Sequence, residues 1–91
     1  MLDAVFSSSF KKDYKLMKRR GLNISELIKA MKLLESETPL ETKHNEHQLT
    51  GNYKNFLECH IQPDWLLIYR IDRNVGKIYF TRTGTHSDLF G

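Results

Sequence analysis

The stretch Trp65-Leu66-Leu67-Ile68-Tyr69-Arg70-Ile71-Asp72-Arg73-Asn74-Val75-Gly76-Lys77-Ile78-Tyr79-Phe80-Thr81-Arg82-Thr83 decides the fold. Its two ends are rich in β-branched and aromatic residues, and the polar Asp72-Arg73-Asn74-Val75-Gly76 between them has the composition of a hairpin loop. The stretch therefore predicts two antiparallel strands, Trp65 to Ile71 and Lys77 to Thr83. Upstream, Pro63-Asp64 marks a tight turn and Phe56 to Ile61 reads as the strand before it. None of these connections has the length of a crossover helix, so the three strands form an antiparallel meander.

The first forty residues run on another period. Leu2 to Phe6 is a short apolar strand, and Ser7-Ser8-Ser9 supplies hydroxyls that cap a helix. Phe10, Tyr14 and Met17 fall at i, i+4 and i+7, a buried stripe that ends at Gly21, a good C′ residue. Asn23 with Glu26 resembles a capping box, after which Leu27, Ile28, Met31 and Leu34 repeat at helical spacing until Thr38-Pro39. Two helices joined by a Gly-containing turn form an antiparallel hairpin whose apolar stripes must lie on a sheet. Leu40 to Thr50 is polar and reads as a loop. The expected class is α+β: an N-terminal strand and an antiparallel helix hairpin packed on a small twisted antiparallel sheet, in the order β-α-α-β-β-β. No repeat, low-complexity tract or linker divides residues 1–91, which read as a single domain.

Composition narrows the function classes. The chain has 91 residues, 40% hydrophobic and 27% charged, the balance of a globular protein with room for one core and a surface site. Its longest apolar stretch, Trp65 to Tyr69, is too short to cross a bilayer, and its start lacks the cationic region of a signal peptide, so a cytoplasmic location is expected. Cys59 is the single cysteine, which excludes an intramolecular disulfide and leaves it as a small buried hydrophobe. Fourteen Lys and Arg against eleven Asp and Glu give a net charge of +3, consistent with an anionic partner. The excess sits in Lys11, Lys12, Lys15, Lys18, Arg19 and Arg20, which form either a solvated helix face or a set of phosphate contacts.

Four histidines, His44, His47, His60 and His86, lie in the C-terminal half. Solvated imidazole titrates near ~6.5, so several converging would suit acid/base chemistry. His44-x-x-His47, completed by His60, His86 or Cys59, is a lesser possibility as a metal site, because a single His pair lacks the ligand count. No serine or cysteine stands in a nucleophile context. Strand parity puts His60 with Phe56 and Glu58 on one face, and Leu57, Cys59 and Ile61 on the apolar one. By the same parity Arg82 joins Ile78 and Phe80, so either both faces are partly covered or a bulge re-aims it. Trp65 weighs toward packing, given the area it buries, but stands among the candidate RNA contacts as a stacking platform.

Three ordered blocks carry a resemblance: Glu46-His47-Gln48-Leu49-Thr50-Gly51, Glu58-Cys59-His60-Ile61-Gln62-Pro63-Asp64-Trp65-Leu66-Leu67-Ile68-Tyr69, and Arg82-Thr83-Gly84-Thr85-His86-Ser87-Asp88-Leu89-Phe90. Together with the helix hairpin they make the chain similar to the YafQ branch of the RelE/ParE toxin superfamily. The resemblance implies a toxin of a type II toxin–antitoxin pair, a ribosome-dependent endonuclease that cuts mRNA in the A site without metal or other cofactor. It implies that His47, His60, Asp64 and His86 form the acid/base set, Arg82 the phosphate-facing cation and Phe90 a C-terminal aromatic. His86 would be the general acid and His60 or His47 the base, with Asp64 orienting or sharing that task, and the product would end in a 2′,3′-cyclic phosphate. Lys11, Lys12, Lys15, Lys18, Arg19 and Trp65 would join Phe90 in binding RNA. The implied partners are a cognate antitoxin, the ribosome with its rRNA and mRNA, and operator DNA only in complex with the antitoxin; a membrane is not among them. Leu57 stands where the family commonly has arginine, Glu46 where aspartate is commoner, and His44 has no counterpart. Two other readings are a ParE-like inhibitor of DNA gyrase and a basic RNA-binding module without catalysis. Neither needs the histidine set.

Overall fold

The computed structural model describes residues 1–91, the side chain of position 52 aside. Strand β1 (Asp3–Phe6) leads into helices α1 (Ser8–Arg19) and α2 (Ile24–Glu35). A short 3-10 turn (Thr42–His44) leads into β2 (His47–Gln48) and a second (Gly51–Tyr53) into β3 (Leu57–Gln62), followed by β4 (Trp65–Asp72), β5 (Lys77–Gly84) and α3 (His86–Phe90). The strands form one sheet in the order β1-β5-β4-β3-β2. The α+β class, the helix hairpin and the β3-β4-β5 meander match the sequence reading. The sheet is mixed rather than antiparallel, because β1 runs parallel to β5. Two elements went unread: β2, two residues inside the stretch expected to be a loop, and α3.

Local chemistry explains the boundaries. Ser7 accepts from the Phe10 amide at 2.9 Å and donates to the Thr81 carbonyl at 2.7 Å, so one hydroxyl caps α1 and ties it to β5. Gly21 takes φ +81°, a left-handed conformation that suits glycine and turns the chain between the helices. Asn23 caps α2 through the Ser25 amide at 3.2 Å. The predicted reciprocal bond from Glu26 is replaced by an outward contact, Gln62 Nε2 donating to Glu26 at 3.2 Å.

The sheet has two faces of unequal character. Leu67, Tyr69, Ile78, Phe80 and Cys59 pack against Phe10, Met17, Leu27 and Met31 of the helices. The opposite face carries a smaller cluster, Leu66, Ile68 and Leu89, flanked by Leu49, Tyr53 and Phe56. A bulge separates the faces along β5: Tyr69 pairs with Phe80 but Ile68 with Arg82, so Thr81 is the extra residue. Of the two expectations for Arg82, the bulge holds. It shifts the side-chain parity by one, leaving Phe80 in the core and turning Arg82 to the second face. Among the described residues no helix is long and apolar enough to cross a membrane.

Trp65 is 2% exposed, and its indole nitrogen donates to Thr83 Oγ1 at 2.9 Å. It is a core residue, and its place among the RNA contacts is corrected: a ring covered by the helix layer has no face for a base. Trp65→Phe keeps a ring but loses the donor, and should cost about 1–2 kcal/mol in urea unfolding. RNA binding should be unchanged. A loss of RNA affinity with unaltered stability would reverse this assignment.

Candidate active site

The second face of the sheet gathers three of the four histidines. His60 stands on β3, and His47 enters through β2, whose register sets it opposite Glu58. His86 opens α3, where Thr85 accepts from the Asp88 amide at 3.1 Å and Asp88 accepts from the Thr85 amide at 2.9 Å. The rings form a row: His47 to His60 is 6.2 Å between centroids and His60 to His86 is 5.9 Å. Phe90, half exposed, continues it at 6.4 Å from His86 and meets Tyr53 edge-on at 6.0 Å.

Each carboxylate serves a different member. Asp64 Oδ1 lies 2.5 Å from His86 Nδ1 and accepts the His86 amide at 3.0 Å. Those bonds, the backbone one first, hold the Asp64 carboxyl below the ordinary aspartate range. Asp64 therefore orients His86, and its expected pairing with His60 or His47 is not the one observed. That place is taken by Glu58, 4% exposed, with His47 Nε2 at 3.3 Å and His60 Nε2 at 3.8 Å. Sequence reasoning put Glu58 on the His60 face but gave it no role. A carboxylate two residues from a histidine, on the same face of one strand, was the signal. His60 Nδ1 is buried without a partner among the described residues.

Arg82 reaches the second face in the grip of α1. Asp13, 9% exposed, accepts from Arg82 Nε at 2.6 Å, from Nη2 at 3.2 Å and from the Thr83 amide at 3.2 Å. The pairing with Asp13, with Tyr53 adding to it, raises the guanidinium pKa further. Nη1 stays outside the Asp13 fork. The remaining candidates lie elsewhere. Lys11, Lys15 and Lys18 rim an apolar groove of about 580 Å³ between the helices, beside Phe6, Phe10 and Ile28, on the helix side of the sheet. Lys12 and Arg19 are exposed on α1. Arg20 is paired with Asp88 at 2.7 Å.

His44 is not part of the row. It is buried in the turn Thr42–His44, its Nδ1 without a partner among the described residues, instead of lying in a polar surface context. Cys59 is fully buried and its thiol is pushed up to about 12, mainly by burial, so it stays protonated and unreactive. Among the described residues no three His, Cys, Asp or Glu side chains converge as metal ligands.

The carboxyls around α3 make its anchoring depend on pH. Arg20 first, and the Thr85 amide second, hold the Asp88 carboxyl far below the ordinary aspartate value. A depressed carboxyl contributes stability in full above its unfolded value, near ~3.9, and loses it as pH falls through the folded value. The Tm difference between wild type and Asp88→Asn should therefore stay constant from pH 8 to about 5 and shrink below about 4. A difference that grows on acidification would contradict this.

The family described as "Bacterial toxin of type II toxin-antitoxin system, YafQ" matches residues 2–91. The mRNA interferase toxin YafQ of Escherichia coli K12 is 38% identical over 90 residues, covering 98% of this chain and 96% of that protein. In the E. coli DinJ–YafQ complex the toxin superimposes with a TM-score of 0.92 at 37% identity, both chains covered in full. A metal-bound toxin from Helicobacter pylori gives 0.93 at 39% identity, covering 99% of this chain and 100% of that one. The chain belongs to the YafQ toxin family.

Proposed function

We propose that this chain is an mRNA endonuclease: a cytoplasmic toxin, residues 1–91 acting as one domain, that cuts mRNA in the ribosomal A site and is silenced by a cognate antitoxin. The row His47–His60–His86, on the sheet face to which Arg82 also turns, is the observation that carries this reading. It supplies what RNA cleavage by its own 2′-hydroxyl needs: a proton acceptor, a cation and a proton donor. His60 or His47, next to Glu58, takes the proton of the 2′-hydroxyl as that oxygen bonds to the adjacent phosphorus. Arg82, through Nη1, faces the charge building on the phosphoryl oxygens. The bond to the 5′-oxygen breaks and His86 protonates the leaving oxygen from Nε2, since Nδ1 is engaged by Asp64. The products are a 2′,3′-cyclic phosphate and a 5′-hydroxyl. Phe90 offers a stacking face for a base beside the cut.

The basic helix serves other partners. Lys11, Lys15 and Lys18 around an apolar groove fit an acidic amphipathic segment of an antitoxin, in keeping with the DinJ partner of the E. coli relative. With Lys12 and Arg19 they also suit rRNA phosphates when the antitoxin is absent. Operator DNA would be bound only by the toxin–antitoxin complex. Primer extension on a defined mRNA, with and without programmed ribosomes, tests the reading. A cut within the A-site codon that requires ribosomes supports it. No cut, with inhibited DNA supercoiling by gyrase, would overturn it in favour of a ParE-like inhibitor.

A further inference from the structure

We propose that Arg20 is a positioning residue for His86: acting through Asp88, it holds α3 in place so that His86 stays on Asp64. The inference rests on the nuclease reading and adds a residue at the C-terminal cap of α1, remote in sequence from the histidines. Helix α3 has five residues, far too few to persist alone. Something must pin it. Its capping box is internal to the segment and cannot fix where the segment sits. Leu89 supplies a hydrophobic contact, which is non-directional. The directional link to the rest of the molecule, besides Asp64, is the fork from Arg20: Nη1 donates to Asp88 Oδ2 at 2.7 Å and Nη2 to Oδ1 at 3.0 Å.

Two further features fit this role. Gly84 ends β5, and a Cβ there would lie 2.9 Å from Asp88 Cβ, so the missing side chain is what lets Asp88 lean over the strand end toward Arg20. Asp13 on α1 and Arg20, the αR residue that caps its C-terminus, are seven residues apart, two helical turns, and so share one face. Asp13 grips Arg82 and Arg20 grips Asp88, which makes that face of α1 a common brace for the phosphate cation and the proton donor. Geometry errors of about 1 Å at reacting groups cost about a hundredfold in rate, so a loosened α3 has a kinetic price even if the fold survives. The fork is partly exposed, the Arg20 side chain being 41% accessible, so its loss should leave the protein folded.

The test uses the full chain on programmed ribosomes. Arg20→Ala should lower kcat roughly tenfold with KM unchanged, and Arg20→Lys should recover part of the loss. In a His86→Ala background Arg20→Ala should add almost nothing, because the group it positions is gone. Independently of cleavage, the His86 amide, bonded to Asp64, should exchange with solvent about tenfold faster in Arg20→Ala. An equal loss of rate in both backgrounds, or unchanged exchange at His86, would overturn the proposal. Absence of cleavage by the wild type would overturn the nuclease reading, and the exchange measurement would then decide the tether on its own.

Discussion

Replacing His86 by alanine should reduce the rate of mRNA cleavage roughly 10²–10⁴-fold while leaving thermal stability nearly unchanged. The side chain is 54% exposed and its polar contact is Asp64, so little packing is lost. Without the imidazole the 5′-oxygen must leave as an alkoxide or find a proton from water. Single-turnover cleavage at saturating ribosome concentration checks this, since it isolates the chemical step from product release. His86→Gln separates the proton from the shape: it can hydrogen-bond but not donate a proton at neutral pH, and should be nearly as slow. A variant that cuts at the wild-type rate would remove His86 from the chemistry.

Loss of Arg82 should be felt twice. Arg82→Ala removes the cation beside the phosphate and should slow cleavage by about 10²–10³-fold. It also leaves Asp13, nearly buried, with only the Thr83 amide, and should cost about 1–3 kcal/mol of stability. Arg82→Lys distinguishes the two effects. The charge remains, but an ammonium cannot serve Asp13 and a phosphate with separate nitrogens. Stability should largely return while cleavage stays impaired. Full cleavage by Arg82→Ala below its unfolding transition would make Arg82 a structural partner of Asp13 alone.

The meander and the helix hairpin were legible because each rests on a local signal. Alternating apolar residues around Asp72–Gly76 and Pro63-Asp64 leave little choice of register, and the stripes of α1 and α2 leave little choice of face. The parallel pairing of β1 with β5 was not legible, since a four-residue strand finds its partner through distant contacts such as Ser7 to Thr81. β2 escaped for a related reason: two residues in a polar stretch carry no alternation, and the strand exists because His47 and Gln48 meet β3. In α3 the Thr85 and Asp88 capping pair was present in the sequence, but a five-residue helix has no periodicity to notice.

The site divided along the same line. Which residues gather was readable, but which carboxylate serves which histidine was not. Asp64 and His86 are 22 residues apart in sequence and come together only because β4 and β5 return the chain past the Pro63-Asp64 turn. Glu58 needed β2 to bring His47 to it. Parity had already exposed the difficulty at Arg82, and Thr81, the extra residue of the bulge, resolved it. Trp65 weighed toward the core but stayed among the RNA contacts, because a large aromatic after a turn can serve either until its partner, Thr83, is known.

If the histidine row cuts RNA through the substrate's own 2′-hydroxyl, removing that one oxygen must stop the cut. The most direct measurement is cleavage of an mRNA carrying one 2′-deoxy nucleotide immediately 5′ of the scissile phosphate, in programmed ribosomes, beside the all-ribose message. The ribose message should give a cut ending in a 2′,3′-cyclic phosphate, and the deoxy message none at that bond. Undiminished cleavage of the deoxy message would contradict it, because the attacking oxygen would then come from elsewhere.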